Sequence, residues 1–332
     1  MTLMFRSHTP APPLACASQP RNRAAAATLL LILIALLSAC QSVPPPQSAQ
    51  VAQHEQVVVP FVPQEAYQCG PAALAMMLQW AGKPVSADAL VDEVWLPERK
   101  GSLGIELMAA ARSRGLLAYP VNDAKHLYQE LQAGRPVLVM QNLALPSWPK
   151  WHYAVVTGYH DEGKTVVMHS GTTQSKTTHW NRFIRTWARA EQWGFTLIAP
   201  GELPSSAEPQ PLFRAISATP NAMDYWPQAV KAFPDSGELW FGYGNALWQD
   251  GDKPAALEAF EHAVKAAPEM AAAWNNLAFA QHQQGDSNAA RRSLCKAMNL
   301  APDDENILDT ANTLGYSCPG SGSTSSGCCS SN

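Results

Sequence analysis

Cys69 stands in the string Gln68-Cys69-Gly70-Pro71-Ala72-Ala73-Leu74-Ala75-Met76-Met77-Leu78. Gly-Pro followed by an unbroken run of helix formers puts the cysteine at the mouth of a helix. There, unpaired backbone N–H groups and the positive end of the dipole stabilise a thiolate. Pro71 suits the first turn, where its missing N–H costs nothing. A lone cysteine is most often a small buried packing residue, so the chemistry rests on its company. Trp151-His152-Tyr153-Ala154-Val155-Val156-Thr157-Gly158-Tyr159 opens an apolar strand with a histidine. A histidine there is often a satisfied edge residue. Beside a thiol it is a general base, taking the proton and returning it to a leaving amine. Trp148 and Trp151 are expected to wall the imidazole. Five residues before the cysteine, Gln64 can aim its amide at the oxyanion formed when a thiolate attacks a carbonyl.

The elements that must hold these residues fall in two blocks. Residues 57–200 begin with an extended run, Val57 to Val62. The pattern then predicts helices near 70–80, 86–94, 104–115 and 127–133, with Ser86 as an N-cap and Gly82 as a stop. Apolar strands follow at 136–140, 153–157, 164–169 and 193–198, the third reached through the turn Asp161-Glu162-Gly163. Helices first and an antiparallel sheet second is an α+β layout. Residues 201–220, bearing several prolines, are expected to be a linker. Beyond them Trp240, Gly251, Ala256 and Pro268 recur 34 residues later as Trp274, Gly285, Ala290 and Pro302. That period resembles the tetratricopeptide repeat and predicts helix hairpins at 236–269 and 270–303 within an all-α domain spanning 221–316. Two repeats alone bury too little, so flanking helices must complete the stack, with 306–314 as a cap. Trp226, Trp240, Trp248 and Trp274 are expected to pack helices.

The first block resembles the papain-like, bacteriocin-processing peptidases that cut double-glycine leaders. The match lies in Gln64, in Cys69-Gly70-Pro71-Ala72, in Leu131 with Gly134-Arg135-Pro136-Val137, and in His152 through Tyr159. The resemblance implies a papain-like α+β peptidase domain followed by the all-α repeats. It makes Cys69 the nucleophile, His152 the base and Gln64 the oxyanion donor. At the third triad position the family carries Asp followed by Pro. Here the string is Met168-His169-Ser170-Gly171, so Ser170 takes the orienting place without a fixed charge. Asp161, in the turn after the strand, is a poor geometric substitute.

Arg21 and Arg23 precede an apolar run that ends in Leu37-Ser38-Ala39-Cys40. The run is too short for a comfortable membrane span and fits a signal-peptide core. Its ending resembles a bacterial lipobox. Residues 1–39 would then be removed, Cys40 lipidated, and residues 40–56 left as a Pro/Gln/Ser-rich tether. Gln41 after the cysteine resembles outer-membrane sorting, which places the chain in the bacterial envelope facing the periplasm. Cys295, Cys318, Cys328 and Cys329 could form disulfides in that compartment, including Cys295 to Cys318. The tail 317–332 is expected to be disordered.

A net charge of −4 over 332 residues gives no support to nucleic-acid binding. His152, His169 and His179 have no metal-ligand spacing, and no metal or cofactor is expected. No Walker-type loop is present, so no transporter ATPase is expected on this chain. The reading favoured by the residues is a lipid-anchored cysteine peptidase acting on a peptide or protein, with repeats that recruit a protein partner or the substrate. The lipid anchor would be its only membrane contact. A catalytically weak peptide-binding scaffold, favoured by Ser170, stands beside it. So does another acyl-transfer enzyme on the same fold, such as an amidase.

Overall fold

The computed structural model describes residues 44–45, 56–64, 68–99 and 101–316. The expectations for the signal segment 1–39, for lipidated Cys40, for most of the tether 40–56 and for the tail with Cys318, Cys328 and Cys329 lie outside these residues.

Helix α1 is Cys69–Trp80, and Gly70 to Leu78 are buried without a break. A helix that is apolar all round sits in the middle of a core. Here α2 (Ala87–Val94) and α3 (Gly104–Arg112) pack around it. The Ser86 hydroxyl accepts the Ala89 N–H at 3.2 Å and caps α2 as expected. The chain continues through β1 (Leu117–Pro120), α4 (Ala124–Gln132), β2 (Val137–Asn142), β3 (Trp151–His160), β4 (Thr165–Ser170), β5 (Thr173–His179), α5 (Trp180–Ala188) and β6 (Gly194–Ile198). The strands form one antiparallel sheet in the order β1-β6-β2-β3-β4-β5.

Strand alternation splits the core in two. Leu138, Tyr153, Val155, Phe195 and Leu197 face α1 to α3. Val137, Val139, Ala154, Val156, Val166 and Met168 face α4 and α5. Three elements are additions to the sequence expectation. β1 is four residues long and precedes α4, so helices and strands are not wholly segregated. β5 reads Thr-Gln-Ser-Lys-Thr-Thr-His, has no apolar face, and forms the sheet edge. α5 carries Trp180, Phe183 and Trp187 along one buried face.

The segment 201–220, expected to be a linker, contains helix α6 (Pro209–Ser217). Its prolines, Pro209 and Pro211, both lie in the first helical turn, where a missing N–H breaks no helical bond. With α7 (Trp226–Ala232) and the start of α8 (Gly237–Asp250), α6 closes a core over Leu117, Tyr119 and Ile198 at the β1–β6 edge. Glu130 of α4 is fully buried and anchors this region. Its carboxylate accepts the Ser206 N–H and hydroxyl, each at 2.6 Å, and meets Arg135 Nε at 2.8 Å.

The repeat hairpins are α8 with α9 (Lys253–Ala266), and α10 (Ala271–Gln283) with α11 (Ser287–Leu300). The period of 34 is also a period of hydrogen bonds. Trp240 Nε1 donates to Pro234 O, and Trp274 Nε1 donates to Pro268 O. Gly251 and Gly285 end α8 and the α10 turn at φ 96° and 87°, where any side chain is strained. Asp252 and Asp286 cap the second helices. Helix α12 (Glu305–Leu314) packs Ile307 and Ala311 against the last hairpin as the expected cap.

Candidate active site

The sheet end where β3 begins and β4 stops lies beside the first turn of α1. Cys69 is half-buried there and packs against the core that α1 shares with Tyr153. Gly70 is fixed by this packing, because a Cβ on it would overlap the Ser102 side chain. In the first turn the Ala72 N–H already bonds Gln68 O, and Pro71 has none. The Cys69 and Gly70 N–H groups stand at the start of α1, before any carbonyl of the helix can accept them.

Gln64 reaches this point on the extended segment 56–64. That segment is pinned by the Val57 N–H to Thr157 O at 2.8 Å and by buried His169, whose Nε2 meets Val59 O at 3.0 Å. Gln64 is 9% exposed, and its amide is held at both ends. Nε2 donates to Tyr153 O at 3.2 Å, and Oε1 accepts the Gly171 N–H at 3.1 Å. The Gln64 N–H also donates to Gly171 O at 3.1 Å. One hydrogen on Nε2 remains for another acceptor.

His152 Nε2 lies 2.9 Å from Ser170 Oγ. Gln64, His152 and Ser170 are thus brought together from three separate segments: Gln64 grips the residues directly after the other two. With Nε2–H donating to the hydroxyl, Nδ1 is the basic nitrogen left. Burial, assisted by the charges of Lys176 and then Lys150, lowers the His152 pKa to about 4. At neutral pH the imidazole is therefore unprotonated, and the resting group is a base. Among the described residues no hydrogen bond joins His152 to Cys69. Such bonds commonly tighten only when substrate is bound.

The expected tryptophan wall differs. Trp148 is 82% and Trp151 52% exposed, so neither packs tightly on the ring in this state. Asp161 sits at the far end of β3, bonded to Thr165. The other two histidines have separate tasks: His169 holds the 56–64 segment, and His179 accepts the Asn181 N–H at the start of α5. Sequence reasoning missed Tyr153 as a member of the site. Its hydroxyl donates to Ser102 O at 3.1 Å, and burial, with the Cys69 charge adding, pushes its pKa far up, so it stays a neutral donor. Its place directly after His152 was the available signal; nothing in the sequence marks Ser102.

Residues 56–194 match the model of the Peptidase_C39 like family. Residues 220–268 and 244–305 match the tetratricopeptide repeat. The chain therefore carries a C39-like peptidase domain followed by protein-interaction repeats. No curated protein sequence matches it. Similar solved structures include a C39-like peptidase from Bacillus anthracis, at 19% identity over 43% of this chain and 98% of that one, with a TM-score of 0.36. Another is a double glycine motif protease from an AMS/PCAT transporter in complex with the leader peptide, at 24% identity over 44% and 94%, with a TM-score of 0.33. A third is the first repeat domain of Spaghetti (RPAP3) bound to an HSP90 peptide, at 15% identity over 28% and 75%, with a TM-score of 0.27.

Proposed function

We propose that this protein is a cysteine peptidase. The observation that carries the reading is the double grip of Gln64 on Tyr153 O and the Gly171 N–H, which holds its amide, read here as the oxyanion donor, beside the His152–Ser170 pair. Neutral His152 takes the Cys69 proton at Nδ1 as Sγ attacks the peptide carbonyl carbon. The oxyanion is met by the free Nε2 hydrogen of Gln64 and the Cys69 N–H. The tetrahedral intermediate expels the amine, which leaves with the proton from the imidazolium, and a thioester remains. Water, deprotonated by His152, then attacks the thioester carbonyl. The acid departs, and Cys69 regains its proton. Ser170 holds the ring without a charge to stabilise the imidazolium.

The test is labelling of the purified protein with a peptide aldehyde or iodoacetamide, followed by assay against peptide pools. Cys69 should label selectively, and Cys69→Ala should abolish hydrolysis with its melting temperature kept within a few degrees. Among the described residues His152 is met by the Ser170 hydroxyl and by no carboxylate, which favours a second reading, a peptide-binding protein without turnover. Peptides that bind but survive intact would establish it.

The sequence Leu37-Ser38-Ala39-Cys40 supports placing the protein on the bacterial envelope through a lipid on Cys40. Cys40→Ser should move it from the membrane fraction to the soluble one; continued sedimentation with membranes would exclude the anchor.

A further inference from the structure

Resting on the thiol–imidazole reading of Cys69 and His152, we propose that Lys150 and Lys176 form a subsite for an acidic side chain of the peptide substrate, next to the bond that is cut. The argument starts from register. Val156 pairs with Met168, and Met168 pairs with Lys176. Side chains two apart on a strand share a face. His152 is on the Val156 side, and Ser170 is on the Met168 side, as their 2.9 Å contact requires. Lys176 lies on that same face, across β4.

Lys150 stands two residues before His152. Its backbone is fixed: its N–H donates to Asn142 Oδ1 at 3.0 Å, and its carbonyl accepts the Leu143 N–H at 2.9 Å. Both lysines act on the imidazole through space. Both are exposed, and among the described residues neither ammonium has an acidic partner. The whole chain is net negative at −4, so this paired positive charge is a local feature rather than a surface-wide one.

Two ammonium groups that both bear on one largely buried imidazole attract an anion more strongly than either would alone. At the place where the family has a carboxylate, Ser170 offers none. An Asp or Glu of the substrate arriving between the lysines meets no competing carboxylate from Ser170. It would also offset the charges that oppose protonation of His152, which aids the step in which the thiol gives up its proton.

The test compares alkylation of Cys69 by iodoacetate and by iodoacetamide, in the full chain at low salt. The two reagents differ in the charge placed beside the reacting carbon. The rate ratio cancels any change in the nucleophile itself. The expected ratio is about tenfold higher in the wild type than in Lys150→Gln/Lys176→Gln, and it should collapse in high salt. A ratio unmoved by the double substitution overturns the subsite. Slow alkylation by both reagents would instead count against the catalytic reading, and the ratio would still report the field. A second arm uses a pair of peptide aldehydes with Glu or Gln beside the aldehyde. The Glu compound should inhibit or label about tenfold better in the wild type and lose that margin in the double variant. Equal potency in the wild type would overturn the assignment to a peptide side chain.

Discussion

His152 differs from an ordinary histidine in two ways, and both bear on how it works. It is held by a hydroxyl rather than a carboxylate, and it is neutral at physiological pH, with a pKa lowered to about 4. The sign follows directly. Burial and two lysines disfavour the imidazolium, so the protonated fraction is small above about pH 5. The ion pair of thiolate and imidazolium is therefore disfavoured at rest, and proton transfer must accompany attack. Ser170→Asp puts a negative charge against Nε2 and shifts the imidazole upward. Each unit of that shift is worth ~1.4 kcal/mol, or a factor of ten in the protonated fraction. Iodoacetamide labelling of Cys69 should then extend to lower pH, rising several-fold at about pH 6 on that scale. Ser170→Ala removes one neutral hydrogen bond, a loss of ~1 kcal/mol or about fivefold in rate. The check is the labelling rate from pH 5 to 9 for the three proteins. Superimposable profiles would show that Ser170 does not act through the ring.

The helix and the strands decide whether these side chains meet. α1 presents Cys69 only because its second residue has no side chain: Gly70 lies directly under Ser102, whose carbonyl holds the Tyr153 hydroxyl. Gly70→Ala forces either Ser102 or the helix mouth to move. Overpacking of this kind costs ~1–3 kcal/mol. The expected result is a lower melting temperature together with at least a tenfold loss of Cys69 labelling. Loss of stability with labelling intact would mean that Ser102 yields instead. The elements that sequence pattern revealed are the ones whose chemistry is local. The proline and small residues after Cys69, the Ser86 cap and the glycine stops of the repeats each act within a turn. β5 was illegible because an all-polar edge strand has no period to read. β1 is too short to carry one, and α6 was hidden by prolines that mark both loops and helix starts. At the site, the contact between His152 and Ser170 was legible through the motif alone. The double hold on Gln64 was not, since it depends on where a turn after β4 puts the Gly171 backbone.

At the scale of the molecule, the C39-like domain and the repeats share a core rather than a flexible joint. Leu117 and Tyr119 of β1 and Ile198 of β6 are almost completely buried, and they are covered by Leu212 and Ile216 from within the expected linker and by Tyr225, Trp226 and Leu239 from beyond it. Tyr225 adds a hydrogen-bonded bolt: its hydroxyl accepts the Leu117 N–H at 3.1 Å and donates toward Ile198 O at 3.0 Å. Glu130 depends on Ser206 in the same way. The helices that lead into the repeats are thereby packed on the same sheet that carries His152, which runs on from β1 through β6 and β2 to β3. The consequence for stability can be sized. Uncovering three large apolar side chains costs ~1.5–3 kcal/mol each. Leaving a buried carboxylate short of its donors adds ~1–3 kcal/mol or more. The sum rivals the 5–15 kcal/mol that holds a whole domain together. A fragment ending at Pro200 should therefore be unfolded or aggregated, although it contains the complete sheet and every candidate site residue. A fragment ending at Ala267 keeps α6 to α9 and the whole shared core, and it should melt cooperatively with Cys69 still labelled. Circular dichroism melting and limited proteolysis of the two fragments decide the matter. A stable, cooperatively melting fragment 57–200 would show that the shared core is a docking surface between two self-sufficient domains.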